Sequence, residues 1–136
     1  MSEGDLDKAE SELVRVTSEQ PGFAEVHSDY GVVLAQRRKY AEAEQEIERG
    51  LKLGYRDAAG LNSLGIARAE LGRPTEAIEA YEQALDLDPH FAAADLNLAL
   101  VYLRLGDVSE ASRYYRKLCE SNDRLCRQYA SQFPKQ

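Results

Sequence analysis

Apolar residues in this chain fall at the spacing of one α-helical face. Ala9, Leu13 and Val16 stand at i, i+4 and i+7, and Ala43, Ile47 and Leu51 at i, i+4 and i+8. Each set predicts a helix with one buried stripe. Two amphipathic runs lie between Ala58 and Phe91, one marked by Leu61, Leu64 and Gly65, the other by Ala77, Tyr81 and Ala84. Leu98, Val101, Tyr102 and Leu105 continue the first kind of run, and Ala111, Tyr115 and Leu118 the second. Leu125, Tyr129 and Phe133 predict a short final helix that ends at Pro134. The punctuation agrees with this reading. Gln20-Pro21-Gly22 stops the first helix, and Gly54 follows Leu53 as a helix C-terminal glycine. Leu71-Gly72-Arg73-Pro74 makes a tight turn with the proline at a first helical position, where its missing N–H costs nothing. The turn at Arg37-Arg38-Lys39-Tyr40 has no glycine. Ser121-Asn122-Asp123 supplies N-caps for the last helix.

The runs repeat in a fixed phase. Ala9, Ala43, Ala77 and Ala111 are 34 residues apart, and so are Leu13, Ile47, Tyr81 and Tyr115. Leu6, Tyr40, Pro74 and Val108 keep the same step, as do Gly31, Gly65 and Ala99. A helix–turn–helix unit of this period resembles the tetratricopeptide repeat. The resemblance runs from Gly4 to about Phe133. It implies an all-α fold, a right-handed α-α superhelix of antiparallel helix pairs. On this register residues 1–136 form one domain. Residues 4–23 are the second helix of a truncated repeat, 24–57, 58–91 and 92–125 are complete repeats, and 124–133 cap the end. The unpaired first helix suggests a piece of a longer array, with its Ala9, Leu13 and Val16 stripe open to a partner. The family often has tryptophan where this chain has His27, Leu61 and Asp95, and tyrosine where it has Leu34 and Arg68, with Tyr102 the one match. The Arg68 head is expected to reach out to water.

What the resemblance implies about function is a non-catalytic scaffold that holds a peptide or protein segment in a concave groove lined by the first helices. Carried over by register, the groove positions include Ser28, Val32 and Gln36 in the first repeat, and Asn62, Ile66 and Glu70 in the second. In the third they include Leu96, Asn97, Leu100, Leu103 and Arg104. Val32, Ile66 and Leu100 form an apolar row, and the two asparagines each offer a donor and an acceptor to a backbone. This suits a mixed or mostly apolar segment, helical or extended. The row's other use is padding between neighbouring first helices. One version of the family clamps the carboxylate of chaperone tails with basic residues. Here those places read Ser28, Val32, Ser63, Ala93 and Asn97, with no lysine or arginine, so no such clamp is expected. The alternative function is self-assembly through the exposed terminal helices.

Composition narrows the picture. Seventeen Lys and Arg against 24 Asp and Glu leave a formal charge of −7, which argues against a nucleic-acid surface. Glu42, Glu44, Glu46 and Glu48 read as a wet outer face. The acidic N-terminus is no secretory signal, and no apolar run approaches the roughly 20 residues that span a bilayer, so a cytoplasmic chain without membrane contact is expected. His27 and His90 are isolated and carry no metal spacing. No Walker, zinc-protease or nucleophile-elbow motif is present. No enzyme, metal or cofactor is expected. Cys119 and Cys126 lie seven residues apart, which permits a bridge, but reduced thiols are the default.

Overall fold

The computed structural model describes residues 2–19 and 22–133. Among these, every regular element is helical: α1 (Glu3–Glu19), α2 (Ala24–Gln36), α3 (Tyr40–Lys52), α4 (Ala58–Glu70), α5 (Pro74–Leu87), α6 (Ala92–Arg104), α7 (Val108–Ser121) and α8 (Asp123–Tyr129), with a closing 3-10 turn at Ala130–Gln132. The expected stops at Gln20-Pro21 and Pro134 lie outside the described residues. Helices α2 and α3, α4 and α5, and α6 and α7 form antiparallel pairs, and each pair packs on the next.

There is no single central core. Leu34 and Ala43 pack with Ala67 of the next pair, and Ile47 packs with Leu61, Leu64, Ala80, Ala84 and Ala94. A third cluster joins Tyr81 of α5 to Leu98, Tyr115 and Leu118. Each cluster spans adjacent helix pairs, so the apolar seam runs the length of the array. Within pairs the approach is close. A Cβ on Gly31 would collide with the Ile47 side chain, and one on Gly65 with the Tyr81 ring. The turns follow the same register. Gly72 and Gly106 both have φ 82°, and Arg38, in the equivalent place, adopts φ 64°. That conformation costs a non-glycine residue on the order of 1–2 kcal/mol.

Charge pairs also repeat. Lys39 meets Glu10 at 2.6 Å, and one repeat later Arg73 meets Glu44 at 2.5 Å. The next step has Asp107 and Ile78, and no such pair. Arg37 adds contacts to Glu3, Asp7 and Glu10, so α1 is tied to the first pair by ions as well as by the buried Leu6. Three expectations need correction here. Glu46 is not wet: it is buried, and it receives His27 Nδ1 at 2.7 Å and Arg49 at 2.7 Å. His27 is accordingly buried and partnered, not isolated. Arg68 does not reach out to water. It folds back among Glu44, Glu48 and Glu76 and donates to the Glu76 carbonyl at 3.2 Å.

At the other end, Asn122 caps α8 by accepting from the Leu125 N–H. Cys119 and Cys126 are joined as a disulfide, with their Cα atoms 4.7 Å apart, where reduced thiols were the default. The turn at Asn122 brings α8 back alongside α7, which is what places the two sulfurs together.

Candidate interaction groove

The first helices α2, α4 and α6 lie side by side, with α4 in contact with both neighbours. This shared wall carries the residues singled out from the sequence, but it does not use them alike. Ser28 is buried, and its hydroxyl donates to Asp57 Oδ1 at 3.0 Å, the same oxygen that caps α4 by accepting from the Gly60 N–H. Leu96 is buried within the C-terminal cluster. Asn62 is buried too, and its side-chain oxygen accepts from Asn97 Nδ2 at 3.0 Å. This amide–amide bond runs from α4 to α6 and leaves the Asn97 oxygen and the Asn62 amino group for other partners.

Val32, Ile66, Asn97, Leu100 and Leu103 are half-buried, and Gln36, Glu70 and Arg104 are exposed. Five of the sequence-selected residues converge. Ile66, Glu70, Asn97, Leu100 and Arg104 line one cleft between α4 and α6, with Ala69 and Val101 beside them. The cleft holds about 70 Å³. Its lining mixes apolar side chains with the Asn97 amide, the Tyr81 ring and the oppositely charged Glu70 and Arg104. Ser28, Val32, Gln36, Asn62, Leu96 and Leu103 lie outside it. Sequence reasoning missed Tyr81, which reaches the cleft from the second helix α5. The signal was there: Gly65 leaves room for the ring to pass beneath α4. Ile66 and Leu100 also pack against the buried C-terminal cluster, so they serve the wall as well as the cleft.

Larger hollows lie elsewhere, and two of them share a repeat position. One, of about 310 Å³, is lined by His27, Arg49, Lys52 and Leu53. The other, of about 290 Å³, is lined by Pro89, His90, Asp95, Lys117, Glu120 and Ser121. They are the same place two repeats apart: His27 matches Asp95, Arg49 matches Lys117, Lys52 matches Glu120 and Leu53 matches Ser121. In the repeat between them Leu61 takes this position and is fully buried. Burial pushes the Asp95 carboxyl above its ordinary value, and Lys117, 3.3 Å away, pulls against that shift. Among the described residues no group of three His, Cys, Asp or Glu could hold a metal ion, and no helix is long and apolar enough to cross a membrane.

Comparison with known proteins adds the following. Models of the tetratricopeptide repeat match residues 1–64 and 62–124. Tetratricopeptide repeat protein 21B of Mus musculus is 29% identical over 130 residues, which is 93% of this chain and 10% of that protein. The peroxisomal targeting signal receptor of Saccharomyces cerevisiae is 38% identical over 68 residues, 50% of this chain and 11% of that protein. The chain thus spans about a tenth of these relatives' length. The crystal structure of MamA superposes with a TM-score of 0.83 at 25% identity, over 94% of this chain and 75% of that one.

Proposed function

Because the chain belongs to the tetratricopeptide repeat family, a right-handed stack of helix pairs that serves as a scaffold for protein and peptide partners, we propose that it captures a mixed or mostly apolar protein segment in the groove along α2, α4 and α6. The observation that carries this reading is the cleft between α4 and α6. It combines half-exposed Ile66 and Leu100 with the Asn97 amide and the Glu70 and Arg104 rim. An aliphatic side chain can lie against Ile66 and Leu100, and its flanking peptide groups can bond the amides. The yeast relative is by name a receptor for a targeting signal, which supports segment capture as the mode. The missing cations at Ser28, Val32, Ser63, Ala93 and Asn97 argue against a carboxylate clamp. We divide the array as complete repeats at 24–57, 58–91 and 92–125, a lone second-type helix within 4–23 and a cap at 124–133.

The test compares affinity capture by the wild type, by Ile66→Asp with Leu100→Asp, and by Glu70→Lys, with melting curves alongside. We expect the partner to be lost from both variants, with Glu70→Lys melting like the wild type because its site is exposed. Capture that survives both changes, or is lost only where the protein has unfolded, returns the row to padding.

A second reading is self-assembly through α1. Ala9 and Leu13 are half-exposed. Their equivalents Ala43, Ala77, Ala111, Ile47, Tyr81 and Tyr115 are all buried by a first helix of their own pair. Sedimentation at two concentrations should show a mass that rises with concentration; a strict monomer at both removes this reading.

A further inference from the structure

The last helix is held differently from the others. Neither α8 nor the 3-10 turn after it contains a buried side chain, and among the described residues Phe133 is the only buried one beyond Leu118. Seven residues are too few for a helix that stands by itself. Besides the half-buried Leu125 and Tyr129, two contacts with one residue of α7 hold this end: the Tyr115 hydroxyl donates to the Cys126 carbonyl at 2.6 Å, and its ring stacks on Phe133 at 4.3 Å. The third fastening is covalent.

Its position in the repeat is informative. Cys119 and Cys126 match Leu51 and Ala58 in the first repeat, and Leu85 and Ala92 in the second. Each inner pair packs into the seam where a second helix meets the next first helix. At the end of the array a sulfur–sulfur bond replaces that apolar contact. It closes a short loop made of the end of α7, the turn and the start of α8.

We propose that Cys119–Cys126 is a thiol–disulfide exchange site that latches the end of the array, so that reduction frees α8 and bares the outer face of α7. Both cysteines are half-buried and within reach of a small thiol. A thiolate of a dithiol, or of a glutathione-type monothiol, attacks one sulfur and forms a mixed disulfide, and the other cysteine leaves as thiolate. A second reductant thiol then displaces the first cysteine. Two electrons enter, both cysteines end as thiols, and the reductant leaves as its own disulfide. The crosslink spans one turn, so its loss loosens α8 and leaves the inner repeats intact.

The test is limited tryptic digestion of the full chain, oxidised with glutathione disulfide and then reduced with dithiothreitol. Cleavage after Arg124 and Arg127 in α8 is expected to speed up by at least about tenfold on reduction, as a loop of this size loses its crosslink. Cleavage after Arg68 stays unchanged. The Cys119→Ser, Cys126→Ser double variant should match the reduced wild type and ignore dithiothreitol. Failure to form the disulfide overturns the proposal, as do equal rates at Arg124 and Arg127 in both states. Equal acceleration at Arg68, or a reductant effect in the double variant, does the same.

Discussion

Replacing Tyr81 by alanine will cost about 3–5 kcal/mol, the range for deleting a buried aromatic ring. Tyr81 is the largest fully buried side chain, only 2% exposed. It lies directly against Gly65, and it reaches from α5 into the cluster that carries Leu98, Tyr115 and Leu118. Its removal therefore empties space both within the central pair and between that pair and the next. An array in which each pair rests only on its neighbours has no other core to take up the loss. A urea titration followed by circular dichroism measures it. Gly65→Ala makes the account specific. Alone, its new methyl meets the ring and overpacks at about 1–3 kcal/mol, partly offset by up to about 1 kcal/mol of helix propensity. Combined with Tyr81→Ala, that methyl enters the vacated space, so the double variant loses less than the sum. A loss below about 1 kcal/mol for Tyr81→Ala, or strict additivity with Gly65→Ala, contradicts this packing.

What could be read from the chain was what recurs at a fixed step. Ala43, Ala77 and Ala111 share a register and are all fully buried. Gly31 and Gly65 share another and both accept a large side chain from the second helix. Periodicity sees these because the same contact is made once per repeat. It does not see a charge that finds its partner on another helix. Glu46 stood among alternating glutamates and read as solvent-facing, yet His27, 19 residues earlier, draws it inward. Arg68 was misjudged for the same reason, since Glu44 and Glu48 belong to the preceding repeat. The Glu10–Lys39 and Glu44–Arg73 pairs were within reach, because each partner sits at the same step as its twin. The candidate cleft was legible on its first-helix side alone. Tyr81 comes from the second helix, which the register assigns to the back of the array, and only the room left by Gly65 lets it through.

The contrast among His27, Leu61 and Asp95 leads to the other large effect. These three residues hold one repeat position, and each neighbourhood suits its own occupant. Around His27 stand Glu46 and Arg49, and beside Asp95 stands Lys117. Around Leu61 the matching places are Ala80 and Gln83, which offer no charge. Leu61→Asp therefore buries a carboxylate among Ile47, Leu64, Ala80 and Ala84, at a cost of about 4 kcal/mol or more. The Asp95 arrangement indicates the remedy. Gln83→Lys, placed as Lys117 is placed, brings an ammonium to that carboxylate. By itself this half-exposed change should move stability by no more than about 0.5 kcal/mol. In the double variant it should return about 1–2 kcal/mol, a coupling in the range for contacting residues. A full double-mutant cycle in urea measures the term. Zero coupling would mean that Lys117 does not stabilise Asp95 in the third repeat, and the three occupants would then be interchangeable without regard to their partners.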